Sequence, residues 1–106
     1  MSKPYAPRGM PARFMAGAPE IVRKSIIDVI RIMPGCPLEF DVIFREVYRD
    51  EITGLDFGND GTQGCHFGLC SSQMRAYRER NRRKRVAWID LPAETRAAIL
   101  RYLTTD

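Results

Sequence analysis

The chain has 106 residues, 44% of them hydrophobic and 28% charged, and a net charge of +4. This composition indicates one soluble globular domain with a modest core. No apolar run approaches the ~20 residues needed to span a bilayer, so we expect no membrane partner. An odd number of cysteines argues against a disulfide scaffold, and the N-terminus lacks the apolar region of a signal peptide, so we expect a cytoplasmic protein.

Residues 1–19 contain four prolines, three basic residues and no acid. Proline fixes φ and removes a backbone donor, which disfavours regular structure. We therefore predict an irregular basic N-terminal arm over 1–19, followed by a single helical domain over 20–106. Within the arm, Phe14 and Met15 are apolar and are expected to dock on the core.

The middle of the chain shows patterns typical of helices. Apolar residues at helical spacing predict a first helix over 19–33, with Asp28 on its solvent-facing stripe, and a second helix over 42–52 with Asp41 as its N-cap. The glycine-rich stretch 53–64 is expected to be a flexible connector. Residues 86–91 are predicted to form a strand and 92–103 a last helix. The predicted fold is mainly α, a small domain of about four helices with one or two short strands.

The most unusual stretch is 71–85, SSQMRAYRERNRRKR. It holds seven cations against Glu79, a charge of +6, so the rest of the chain sums to −2. No proline or glycine interrupts it, and Ser71 or Ser72 can cap its N-terminus, so a helix is predicted. Its apolar seam, which includes Met74 and Tyr77, is expected to anchor the first half of this helix to the core.

Three helices, the third of them basic and followed by a strand, resemble the layout of a winged helix-turn-helix protein over roughly residues 20 to 91. That resemblance implies that the third helix enters the major groove of DNA and that the strand begins a wing. The connector over 53–64 is longer than the ~3–4-residue turn that usually joins the two helices of the motif.

A local excess of arginine is typical of a surface that meets a polyanion, because the guanidinium fork matches phosphate oxygens and guanine edges. We therefore expect a small nucleic-acid-binding protein, with a DNA-binding regulator of transcription as the first choice and DNA favoured over RNA. The residues expected to contact the nucleic acid are Gln73, Arg75, Arg78, Arg80, Arg82, Arg83, Lys84 and Arg85.

The alternative is a small adaptor or inhibitor, of phage or mobile-element type, whose basic helix binds an acidic surface of a larger protein or nucleoprotein complex. Residues 38–61 carry seven acids against two arginines and could shield the basic helix within the fold.

No enzyme activity is expected, since the sequence offers no paired carboxylates, catalytic triad or metal site that is convincing. Cys65, His66 and Cys70 have spacing that resembles part of a zinc site, but a second ligand pair is missing. We expect the cysteines to be small core residues, and we expect no catalytic residues, bound metal or cofactor.

Overall fold

A computed structural model, which describes residues 8–105, shows a four-stranded antiparallel sheet with helices on both of its faces. The strands follow one another across the sheet in chain order, as a meander. They are β1 (Ile26–Arg31), β2 (Phe40–Tyr48), β3 (Glu51–Phe57) and β4 (Gln63–Leu69). The helices are α1 (Glu20–Ser25), α2 (Ser71–Asn81) and α3 (Ala93–Thr104). The prediction of a mainly helical, winged-helix-like domain is therefore wrong.

The two predicted helices in the middle of the chain are strands. Only residues 20–25 of the first are helical, after which Ile26–Arg31 enters the sheet. The second is replaced by the β2–β3 hairpin. Both segments are rich in β-branched residues, and buried strands covered on both faces show no polar–apolar alternation. Such a run can match helical spacing equally well, which is why the pattern misled the prediction.

The predicted flexible connector is also mostly sheet. Residues 53–57 complete β3, and a tight turn then leads into β4. In that turn the Gly58 N–H donates to the Thr62 carbonyl over 2.7 Å, and Gly61 has a φ of 88°. The β2–β3 turn uses Arg49 and Asp50, with φ values of 51° and 66°. Two positive φ angles in a two-residue hairpin loop are the geometry usually supplied by Asn-Gly.

One face of the sheet carries the larger core. Phe44, Leu55 and Phe57 pack there against α1, α3 and two 3₁₀ helices, Ala12–Met15 and Trp88–Asp90. Met15 is buried and Phe14 packs against the same cluster, as expected. Residues 8–19 of the predicted arm thus lie on the domain, whereas residues 1–7 of that arm fall outside the described part of the chain.

The opposite face of the sheet carries a smaller core covered by α2. Ile27, Ile30, Ile43 and Ile52 form its floor, and α2 closes it with two side chains. The basic helix is therefore held on a sheet and not on other helices.

The segment after α2 contains no strand of its own in the structure. The Val86 N–H donates to the Val29 carbonyl over 2.9 Å, and Arg85 forms a bridge with Ile30, so the chain runs briefly beside β1. It then turns into the 3₁₀ helix Trp88–Asp90. The predicted strand over 86–91 is wrong, and the predicted last helix is confirmed as α3. None of the helices within residues 8–105 has the length and apolar character to cross a membrane.

Candidate nucleic-acid interface

The basic helix begins one residue earlier than its serines suggest. Cys70 is the N-cap of α2, and its backbone N–H donates to Gln73 Oε1 over 3.0 Å. Ser72 Oγ lies 3.3 Å from Cys70 Sγ, and this hydrogen bond lowers the pKa of the Cys70 thiol. Gln73, expected to contact the nucleic acid, therefore helps to cap its own helix.

The inner face of α2 fixes the helix on the sheet. Met74 is fully buried, Tyr77 is 7% exposed, and both pack on the isoleucines of the sheet. Buried Asn81 donates from Nδ2 to the Tyr77 carbonyl over 2.9 Å at the last turn. The expectation that Tyr77 anchors the helix is confirmed, and these contacts leave the opposite side of α2 facing solvent.

Two of the predicted contact residues point inward, to Asp28 in β1. Arg78 Nε lies 2.7 Å from Asp28 Oδ2, and Arg85 Nε lies 2.6 Å from Asp28 Oδ1. A second bond joins Arg85 Nη2 to Asp28 Oδ2 over 3.1 Å, and Arg78 also donates to the Arg8 carbonyl. Asp28 is fully buried, so its expected place on a solvent-facing stripe is wrong. Arg78 and Arg85 therefore tie α2 and the segment after it to β1.

The other cations of the segment remain on the surface. They lie along α2 and along the 3₁₀ helix Arg82–Lys84 that continues it. The guanidinium carbon of Arg80 lies 5.8 Å from the centre of the Tyr77 ring. No carboxylate within residues 8–105 lies at ion-pair distance from any of these exposed side chains. Five cations and exposed Glu79 give this surface, called the basic ridge below, a charge of +4. Its cations are Arg75, Arg80, Arg82, Arg83 and Lys84.

Residues 38–61 do not shield the basic helix in the way the sequence allowed. Across the described chain, the ion pairs of the basic segment go to Asp28, outside that range. Within the range, Glu39 pairs with Arg31 over 2.7 Å. The acids of the middle segment therefore leave the basic ridge unpaired.

Sequence reasoning missed a pair of carboxyl groups beneath α2. Asp41 and Asp56 lie opposite each other on β2 and β3, and the Tyr77 hydroxyl donates to Asp41 Oδ2 over 2.8 Å. Burial, together with the hydrogen bond and negative charge of Asp56, raises the pKa of Asp41 to about 7. Burial next to Asp41 also raises the pKa of Tyr77. The available signal was an acid between two apolar residues near one end of each strand, but a helix over 42–52 and a loop over 53–64 do not place the two acids opposite each other.

The cysteines were expected to be small core residues, but none of the three is fully buried. Cys65 is exposed, while Cys36 and Cys70 are half-buried, and all three are free thiols. His66 is exposed on β4, with its ring 5.8 Å from that of Tyr102. Among residues 8–105 no group of three or more His, Cys, Asp or Glu side chains is arranged to hold a metal ion.

Comparison with known proteins adds no relative. No protein-family model matches the chain, and no curated protein or solved structure matches it. The function of the chain must therefore be inferred from the geometry of the basic ridge.

Proposed function

We propose that this protein binds nucleic acid, with DNA as the preferred ligand and a regulatory role, through the basic ridge. The observation that carries the proposal is the charge of +4 on one exposed surface whose cations have no carboxylate partner in residues 8–105. Unpaired surface arginines and lysines are available to neutralise phosphates and release the counterions condensed on a nucleic acid.

Rigidity of the ridge supports the same function. Met74 and Tyr77 hold α2 on the sheet, and the Asp28 pairs hold both α2 and the segment that follows it. Cations on a fixed element lose less conformational freedom on binding than cations on a mobile tail. Three free cysteines suit a reducing compartment, so we place this function in the cytoplasm.

A salt-dependent titration tests the proposal directly. Binding to duplex DNA, single-stranded DNA and RNA is measured by fluorescence anisotropy at several salt concentrations. If about five cations neutralise phosphates, the logarithm of the affinity for duplex DNA falls against the logarithm of salt with a slope between about −4 and −5. A slope near zero with every nucleic acid would contradict the proposal.

Two charge-matched double variants distinguish an effect of the ridge cations on binding from an effect of net charge. Arg83→Gln with Lys84→Gln removes two cations from the ridge, and Lys24→Gln with Arg101→Gln removes two exposed cations from α1 and α3 on the other side of the sheet. The ridge pair is expected to reduce the salt slope by about two, and the control pair to leave it nearly unchanged. Equal effects would mean that only net charge matters.

The same reagents test the alternative of an acidic protein partner. If the ridge binds a protein surface, the partner stays bound to the immobilised protein after nuclease treatment and the salt slopes with nucleic acid stay near zero. That combination of results would replace nucleic acid with protein as the ligand of the ridge.

A further inference from the structure

An open groove of about 480 Å³ lies beside the basic ridge, at the end of β1. Its apolar lining comes from three parts of the chain: Phe14 of the first 3₁₀ helix, Ile32 and Pro34 after β1, and Ala87 after the ridge. The volume falls within the ~300–1,000 Å³ typical of small-molecule sites. The groove is therefore large enough for one planar ring system with its attached groups.

Cations line the same groove, and they are of two kinds. Arg31 and Arg85 are held by buried carboxylates and form part of the wall. Arg83 and Lys84 are exposed members of the basic ridge, without a carboxylate partner in the described residues. An apolar floor beside two unpaired cations complements a ligand that has a flat apolar part and an adjacent phosphate.

We infer that this groove receives one unpaired nucleotide of a single-stranded nucleic acid, with its base against Ile32, Pro34 and Ala87 and its phosphate at Arg83 and Lys84. Bases of a duplex are paired and stacked, so they cannot enter without leaving the helix. Asp90 also lines the groove, and its carboxylate can accept hydrogen bonds from the amino group of a base. This inference rests on the proposed function and adds a preference for single strands.

Filling the groove tests the inference. Ala87→Trp places a large side chain in the groove without changing any charge, and Ala97→Trp makes the same substitution at an exposed position of α3. Ala87→Trp is expected to weaken binding of a short single-stranded oligonucleotide by about 10-fold, because excluding the base exposes on the order of 50 Å² of apolar surface that the groove would cover. Duplex binding, which depends on the ridge alone, is expected to change by less than about two-fold, and Ala97→Trp is expected to change neither.

A measurement on the unmodified protein guards against misfolding of the variant. Methyl NMR follows Ile32 and Ala87 during titration with a short oligoadenylate, and Ile99, buried in the core on the other face, serves as the reference. We expect the Ile32 and Ala87 methyl signals to shift from the ring current of the base and the Ile99 signal to stay in place. If the oligonucleotide binds and those two signals do not move, the inference is wrong.

Failure of the proposed function and failure of the groove assignment give different experimental results. If no nucleic acid shows salt-dependent binding, the proposed function fails and the groove assignment fails with it. If Arg83→Gln with Lys84→Gln weakens binding while folded Ala87→Trp binds single strands like the unmodified protein, the ridge stands and the groove assignment alone is overturned.

Discussion

Asp28 is one carboxylate that serves two guanidiniums, and its position decides which arginines are available to a ligand. Arg78 and Arg85 retain only 17% and 11% of their side-chain exposure, whereas Arg82, between them in sequence, is exposed. A buried charge that loses a partner is costly because water cannot replace the missing hydrogen bonds. Arg78 and Arg85 are therefore part of the fold, and Arg82 is part of the surface.

This distinction predicts different outcomes for two arginines four residues apart. Arg78→Gln is expected to lower the free energy of unfolding by about 1.5–3 kcal/mol, the usual value of a hydrogen bond to a charged group. Arg82→Gln should stay within about 0.5 kcal/mol of the unmodified protein. Urea denaturation followed by circular dichroism measures both. Equal losses for the two variants would show that Arg78 is not bound to Asp28 in solution.

The raised pKa of Asp41 predicts a dependence of stability on pH. Between its ordinary value of 3.8 and about 7, the unfolded chain gives up the Asp41 proton while the folded protein keeps it. The contribution of Asp41 to the free energy of unfolding is therefore fully present below pH 3.8 and falls as the pH rises from 3.8 to about 7. Asp41→Asn imitates the protonated carboxyl, because the amide can accept a hydrogen bond from Tyr77 and donate one to Asp56. The free energy of unfolding of the Asp41→Asn protein, relative to that of the unmodified protein, should therefore increase from pH 5 to pH 8.

Asp60→Asn is the control for that experiment. Hydrogen bonds from Thr62 lower the pKa of Asp60, so this carboxyl stays ionised in both states between pH 5 and pH 8. The Asp60→Asn protein should follow the unmodified protein in parallel over that range in urea denaturation. A parallel curve for Asp41→Asn as well would mean that Asp41 ionises normally.

At the scale of elements, the two longer helices were predictable from sequence and the sheet was not. α2 lacks glycine and proline, and α3 starts after Pro92 with good helix formers, so local propensity and tertiary structure agree. β1 and the first half of β2 are buried on both sides, and the periodicity of their apolar residues matches a helix as well as a strand. The turn at Arg49 and Asp50 lacks the Asn-Gly signal that would have revealed the hairpin.

The candidate site was also predictable only in part. The exposed cations could be predicted, because a run of one charge sign within a helix must lie largely in solvent. The inward arginines could not, because Asp28 is 50 residues from Arg78 and 57 from Arg85 in sequence. Their pairing depends on β1 lying beneath α2, which only the correct sheet provides.

The β3–β4 pairing contains a glycine on which an aromatic ring rests. A Cβ atom at Gly54 would lie 2.3 Å from the ring of Phe67, its partner on β4. Gly54→Ala must push this ring away from the core beneath α2, and we expect a loss of about 1–3 kcal/mol in the free energy of unfolding. In a Phe67→Ala background the same substitution should cost clearly less, which a double-mutant cycle measures. Additive effects would show that the ring does not lie over Gly54.

At the scale of the whole molecule, the net positive charge can be compared with the charge of the basic ridge. The net charge of +4 equals the charge of the basic ridge, since Arg78 and Arg85 together with all other charged residues sum to zero. The basic ridge is therefore a concentrated source of attraction for a polyanion, and an uneven charge distribution favours encounter in one orientation. The basic ridge lies on the α2 side of the sheet, and the larger core lies on the opposite side.

The larger core has one more property that follows from how it is closed. Met10, Met15 and Ala18 reach it from the beginning of the chain, and Leu91 and Ile99 from its end. The strands between them pair with one another in chain order, which requires short loops and little chain entropy, so they can assemble early. Joining the two ends over the sheet is the long-range step, and shortening the chain at either end would open the same hydrophobic interior to water.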